Sequence, residues 1–192
     1  MNSFMTMKFL PRISSTAKTF GEGYAERTKK ISRYFKTEFE KLKEETETAR
    51  YFRQRLCMNY IYKGPELELL AIIESRREKF YDELNKTLPH EGIITEIGCG
   101  YGFTSYMLHF TGWKRNIIGI DVSEEKINVA NNCFSKSEKI NFVSANVFNC
   151  ELPPSDVFII NKKNLSITKQ EMEILLNKCN KSLKEKGMVI QI

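Results

Sequence analysis

The chain has 192 residues, enough for one domain with a sizeable core plus an extension, and no apolar run in it approaches the roughly 20 residues of a membrane span. Five cysteines, none at C-x-x-C spacing, and only two histidines argue against a disulfide framework and against a structural zinc or His-based metal site, so a reducing, cytoplasmic compartment is expected. The formal charge of +6 is uneven: residues 1–63 hold 14 Lys and Arg against 7 Glu, whereas residues 64–192 hold 16 against 17 acids.

Residues 1–20 show no clear periodicity and read as a tail. Residues 21–63 read as a basic helical arm. Within it the pattern turns helical from about Ala25 to Asn59, with Ile31, Phe35, Phe39 and Leu42 on one face and Lys, Arg and Glu on the other. Interleaved Lys and Glu describe a solvated helix, although a basic arm can also touch an anionic membrane surface as a peripheral contact. No nucleic-acid partner is expected. Pro65 suits the first turn of a second helix, running to about Leu88, with Leu69, Ile72, Ile73, Phe80 and Leu84 as core candidates.

Residues 64–192 form the expected globular domain. Pro89 to Gly92 is a turn, and strands and helices then alternate. Strands are expected at Ile93 to Ile97, Ile117 to Ile120, Ile140 to Val143, Val157 to Ile160 and Met188 to Ile192. A helix covers Phe103 to Phe110, and Ser123 can cap the next, with Glu124 and Glu125 in its first turn. Thr168 and Glu171 make a capping box before a helix that Gly187 is expected to end. The alternation predicts an α/β, doubly wound, mostly parallel sheet. Its last strand reaches the end of the sequence. We therefore expect a domain truncated after its fifth strand, with an edge open to self-association.

The chemistry concentrates at strand ends, where ligands of open parallel sheets sit. Glu96-Ile97-Gly98-Cys99-Gly100-Tyr101-Gly102 follows the first strand and opens a helix. A dinucleotide fingerprint would need a third glycine at position 103, where Phe103 stands. Asp121 ends the second strand, 19 residues after Gly102, and Val122 follows it. Its carboxylate can accept both hydroxyls of a ribose, or cap the turn. Asn146 and Val147 end the third strand, and an Asn carbonyl there can accept from an adenine amino group or serve a turn. Asn161 ends the fourth strand. Lys162 and Lys163 beside it are solvated loop charges or contacts for an anionic substrate. His109 and Trp113 read as core residues.

The pattern E-x-G-x-G-x-G, joined to Asp121, resembles motif I of class I methyltransferases. That resemblance covers residues 92–192 and implies a Rossmann-like fold and S-adenosyl-L-methionine as cofactor. It implies contacts from Glu96, Gly98, Cys99, Gly100, Tyr101 and Gly102 to the methionine part, and from Asp121 and Val122 to the ribose. Asn146 would lie at the adenine amino group, with Val147 as a further cofactor contact, and Asn161 would contact the cofactor from a segment near the methyl-transfer site. An aromatic of the lead-in, Tyr62, would cover the cofactor. Relatives carry an acid and a His near the end of the fourth strand, and Asn161-Lys162-Lys163-Asn164 has neither, so no general base is assigned. Tyr101 is the nearest candidate. A finer resemblance rests on residues 21–35 and on Asn59 to Pro65. These resemble the junction in large bacterial proteins that join a lipid transporter, a lysophospholipid acyltransferase and a methyltransferase.

The expected function is therefore methyl transfer from S-adenosylmethionine to a small-molecule or lipid-linked acceptor. Two alternatives stay open: a cofactor-binding module without turnover, and a nicotinamide enzyme on a similar sheet.

Overall fold

The computed structural model describes residues 70, 73, 74, 77–134 and 137–192. The tail, the basic arm and Tyr62 lie outside the described residues. So do most of the expected helix from Pro65 and its core candidates Leu69 and Ile72.

The elements in chain order are α1 (Glu78–Thr87), β1 (Gly92–Ile97), α2 (Phe103–Thr111), β2 (Arg115–Asp121), α3 (Glu124–Phe134), β3 (Ile140–Ser144), β4 (Ser155–Ile160), a 3-10 turn (Lys162–Asn164), α4 (Lys169–Ser182) and β5 (Leu183–Gln191). The sheet runs β3-β2-β1-β4-β5 and every pairing is parallel. The chain builds outward from β1 through β2 to β3, then returns to the other side of β1 for β4 and β5. The order therefore reverses between β1 and β4, the place where such sheets open a crevice for ligands.

The strands are apolar because both faces are covered. Along β4, Val157 and Ile159 join one core cluster, with Tyr81 and Leu84 of α1, Met107 and Leu108 of α2, and Ile127 of α3. Phe158 and Ile160 point the other way, onto Leu175 and Cys179 of α4. This alternation follows from the two-residue period of a strand. The capping box is present: Thr168 Oγ1 accepts from the Glu171 N–H at 3.2 Å, and Glu171 Oε2 accepts from the Thr168 N–H at 2.7 Å.

Two expectations need correction. Gly187 does not end the helix, because α4 stops at Ser182 and passes directly into β5. The ladder pairs Ser155 with Leu183 and then Val157 with Met188, so extra residues bulge from β5 between those pairs. Gly187 stands there against the Asp156 and Lys184 carbonyls, and Lys186 beside it has φ 64°. Trp113 is not core: 69% exposed, it lies between α2 and β2 with the Lys114 and Lys139 amines 5.6 and 5.5 Å from its ring centroid. Tyr81, not singled out from the sequence, is fully buried.

Candidate functional site

The register brings the carboxyl ends of three strands level: Ile97 of β1 pairs with Ile120 of β2 and with Ile160 of β4. The glycine loop leaves β1 at that level. The Gly98 and Cys99 N–H groups both donate to the Ile120 carbonyl, at 2.8 and 3.1 Å, and the Gly102 N–H donates to the Cys99 carbonyl at 2.9 Å. Gly98, Gly100 and Gly102 all have left-handed backbone, φ 76°, 57° and 81°.

Two of these glycines serve different ends. A Cβ on Gly102 would fall 2.6 Å from the Phe142 ring, so this glycine lets the loop pack on β3. A Cβ on Gly100 would instead meet the Asn164 side chain, at 3.2 Å from Nδ2, on the outer side of the loop. Cys99 turns its thiol inward, into the core and toward Gly119, so only its backbone is available to a ligand. Tyr101 is half-buried, edge-on to Phe103 and with the Lys126 amine 5.8 Å from its ring centroid.

Asp121 is buried at the end of β2 and ties the loop to α3. Its Oδ2 accepts from the Gly100 N–H at 2.8 Å and its Oδ1 from the Ser123 N–H at 2.9 Å. Ser123 starts α3 by accepting from Ile127 N–H through its carbonyl at 3.0 Å. Asp121 thus organises the turn at the carboxyl end of β2. A carboxylate has about four acceptor sites, so two remain for a diol. Val122 next to it is exposed.

Glu96 lies beneath the loop, completely buried. Ser105 Oγ donates to its Oε2 at 2.6 Å and Asn161 Nδ2 donates to its Oε1 at 3.1 Å. Burial pushes its pKa up from 4.5 to about 7, against the pull of those two hydrogen bonds. Asn161 is also buried, and its Oδ1 accepts no hydrogen bond. With Nδ2 committed to Glu96, that oxygen is a fixed, desolvated acceptor, which costs free energy unless a donor meets it. The Asn161 backbone carbonyl stands 3.1 Å from the Cβ position of Gly98.

Beyond Asn161, Asn164 Nδ2 donates to the Gly98 carbonyl at 2.7 Å. Lys162 and Lys163 are exposed on the same turn. Partial burial, and then the Arg77 guanidinium, lower the Lys163 pKa, which places the foot of α1 near this turn. Arg77 itself lies over the Phe80 ring at 4.2 Å and donates to Glu74 at 2.7 Å. At the third strand, Asn146 Oδ1 accepts from the Phe148 N–H at 3.0 Å, so its amide oxygen already serves the turn. Val147 is packed in the core.

The structure thus brings Glu96, Gly98, Gly100, Asp121 and Asn161 together at the carboxyl ends of β1, β2 and β4, linked by hydrogen bonds and close packing, sends the side chains of Cys99 and Val147 into the core, and leaves Tyr62 undescribed. Ser105 and Asn164 were not singled out from the sequence. Ser105 shows only in retrospect, as a hydroxyl on the first turn of the helix behind the loop. Asn164 gives no local signal, because its partner lies 66 residues away. Among the described residues no group of His, Cys, Asp and Glu could hold a metal ion, and no helix is long and apolar enough to cross a membrane.

Residues 94–187 match the family model of a methyltransferase domain. No curated protein matches the sequence significantly. Among solved structures, the chain is similar to the PH0226 protein from Pyrococcus horikoshii OT3, with TM-score 0.54 and 23% identity, over 62% of this chain and 57% of that one. It is similar to coclaurine N-methyltransferase bound to N-methylheliamine and SAH, with TM-score 0.55 and 14% identity, over 88% of this chain and 57% of that one. It is similar to the pyocyanin biosynthetic protein PhzM, with TM-score 0.58 and 14% identity, over 70% of this chain and 42% of that one. The matched region thus spans between about two fifths and three fifths of those structures. The five-stranded parallel sheet, wound in both directions from β1, is Rossmann-like, a fold shared with coclaurine N-methyltransferase. That family match covers just under half of the chain, and it includes the glycine loop, Asp121 and Asn161.

Proposed function

We propose that this chain binds S-adenosylmethionine in the crevice between the ends of β1, β2 and β4 and directs its methyl group to a small-molecule or lipid-linked acceptor. The observation that carries the reading is the loop Glu96 to Gly102, anchored to Ile120 and Asp121 at the reversal of strand order and lying inside the methyltransferase match.

The residues suit the chemistry of that cofactor. The orphaned acceptor on Asn161 and the Gly98 carbonyl suit an amino group, with the Glu96 carboxyl behind them. The remaining lone pairs of Asp121 suit ribose hydroxyls. Val122, exposed at the rim, suits the apolar side of a nucleoside. Bound there, the cofactor supplies an electrophilic methyl carbon on its sulfonium. The protein's part is to hold the acceptor in line with that carbon and to exclude water. Asn161 to Asn164 contain no acid and no His, and no side chain here is assigned as a general base. This suits an acceptor that is already nucleophilic, or a chain that binds cofactor with little turnover.

The finer resemblance at residues 21–35 and Asn59 to Pro65 supports a cytoplasmic enzyme working on lipid-linked substrates beside an acyltransferase, with the basic arm as a peripheral membrane contact. The test is transfer of radiolabelled methyl from S-adenosylmethionine into a lipid or phenolic extract. Label in the extract that disappears with Asp121→Ala is expected. Cofactor binding without label in any extract would favour the binding module.

A further inference from the structure

We propose that Asn164 is a built-in stand-in for the cofactor's amino group, competing with it for the Gly98 carbonyl. The proposal rests on the cofactor reading above. The N–H groups of Gly98, Cys99, Gly100 and Gly102 are all spent inside the fold, on Ile120, Asp121 and Cys99. The Gly98 carbonyl is spent differently: it accepts from a side chain, Asn164 Nδ2, at 2.7 Å. That same nitrogen stands 3.2 Å from where a Cβ on Gly100 would lie, so the Asn164 amide packs against the loop where only glycine leaves room for it. A donor that takes the Gly98 carbonyl must displace the Asn164 amide.

The surroundings specify what kind of group displaces it. The Gly98 carbonyl leaves the loop where Asn161 packs on it, with the Asn161 backbone carbonyl 3.1 Å from the Gly98 Cβ position; Asn161 adds a buried Oδ1 without a donor among the described residues, and its Nδ2 is held by the buried Glu96 carboxyl. Acceptors held out of water favour a cationic donor over a neutral amide, because charge-assisted hydrogen bonds are the stronger ones. Of the donors that S-adenosylmethionine carries, only the amino group of its methionine part is a cation. Asn164 is exposed and sits on a short 3-10 turn, where one hydrogen bond to Gly98 and the turn's own backbone bonds hold it. It can therefore leave without disturbing the core. The residue tunes affinity: it satisfies a buried carbonyl in one state and is exchanged for the ligand's ammonium in the other.

The test is calorimetry with two probes, S-adenosylhomocysteine and 5′-methylthioadenosine, which share the nucleoside thioether but of which only the first has the amino group. Asn164→Ala is expected to bind S-adenosylhomocysteine about fivefold more tightly than the natural chain, the equivalent of one neutral hydrogen bond no longer broken. Its affinity for 5′-methylthioadenosine is expected to be unchanged, which also shows that the pocket is folded. Asn164→Ser, whose side chain lacks the amide, carries the same expectation. Weaker binding of S-adenosylhomocysteine by both variants would make Asn164 a ligand contact and overturn the proposal. An equal change for both probes would overturn it too, by reducing Asn164 to a loop support. If the natural chain bound neither probe, the cofactor reading itself would fall, and this proposal with it.

Discussion

At the scale of single residues, Asp121 and Glu96 show how one motif hides two kinds of carboxyl. Asp121 holds the Gly100 and Ser123 N–H groups at the carboxyl end of β2. Asp121→Ala is expected to weaken S-adenosylhomocysteine binding by roughly 1–3 kcal/mol, the typical cost of a lost charge-assisted hydrogen bond. It should also lower stability, because two backbone donors lose their acceptor. Asp121→Glu, which keeps the charge on a longer arm, is the control, and an unchanged affinity in the Ala variant would leave Asp121 a turn residue only. Glu96 is different. Its folded pKa stands near 7, above the ordinary 4.5. The folded state therefore holds that proton more tightly than the unfolded chain. Its favourable contribution is complete below about pH 4.5 and is lost as pH rises through about 7, a swing of roughly 3 kcal/mol. Glu96→Gln removes the titration, so the fall in stability from pH 5 to pH 8 should be shallower in that variant. Parallel pH profiles for the two chains, followed by chemical denaturation, would contradict the assignment. The sequence pattern marks Glu96 as an acid two positions before a glycine. Only the pairing of β1 between β2 and β4 shows that it is buried under the loop rather than at its rim.

At the scale of elements, local chemistry was legible and long-range geometry was not. The capping box at Thr168 and Glu171, the turn at Pro89 to Gly92 and the five strands follow from short-range patterns, and each appears within a few residues of its expected place. The bulge in β5 and the exposure of Trp113 depend on what lies across the fold, which no window of sequence contains. Thr168→Ala should cost about 1 kcal/mol of stability while leaving S-adenosylhomocysteine affinity unchanged, since this cap lies on α4 and not in the crevice. Gly102→Ala is a harsher change. Its Cβ would sit 2.6 Å from the Phe142 ring on a backbone of φ 81°, with Phe142 itself in the core. A loss of about 2–4 kcal/mol is expected from strain and overpacking. A Gly102→Ala chain as stable as the natural one would mean that β3 and the loop are packed less closely than the structure shows.

At the scale of the whole molecule, the sheet has β3 at one edge and β5 at the other. Among the described residues no strand pairs with the outer side of β5, and Met188 on it is 39% exposed. We propose that this edge supports self-association, since free N–H and C=O groups along an apolar strand recruit another chain. Light scattering should show association that Met188→Lys reduces, and a monodisperse monomer across concentrations would refute it. The crevice was legible in the sequence because glycines and an acid mark the ends of the first two strands. The approach of the foot of α1 to the turn after β4 was not, because Arg77 and Lys163 lie far apart in sequence and share no pattern. We propose that this crevice takes the nucleoside and amino acid of S-adenosylmethionine and not a dinucleotide. Titration calorimetry of the chain with S-adenosylmethionine, S-adenosylhomocysteine and NAD side by side tests it most directly. Saturable heat with the first two and none with NAD is the predicted result, and an NAD isotherm without any response to S-adenosylhomocysteine would contradict it.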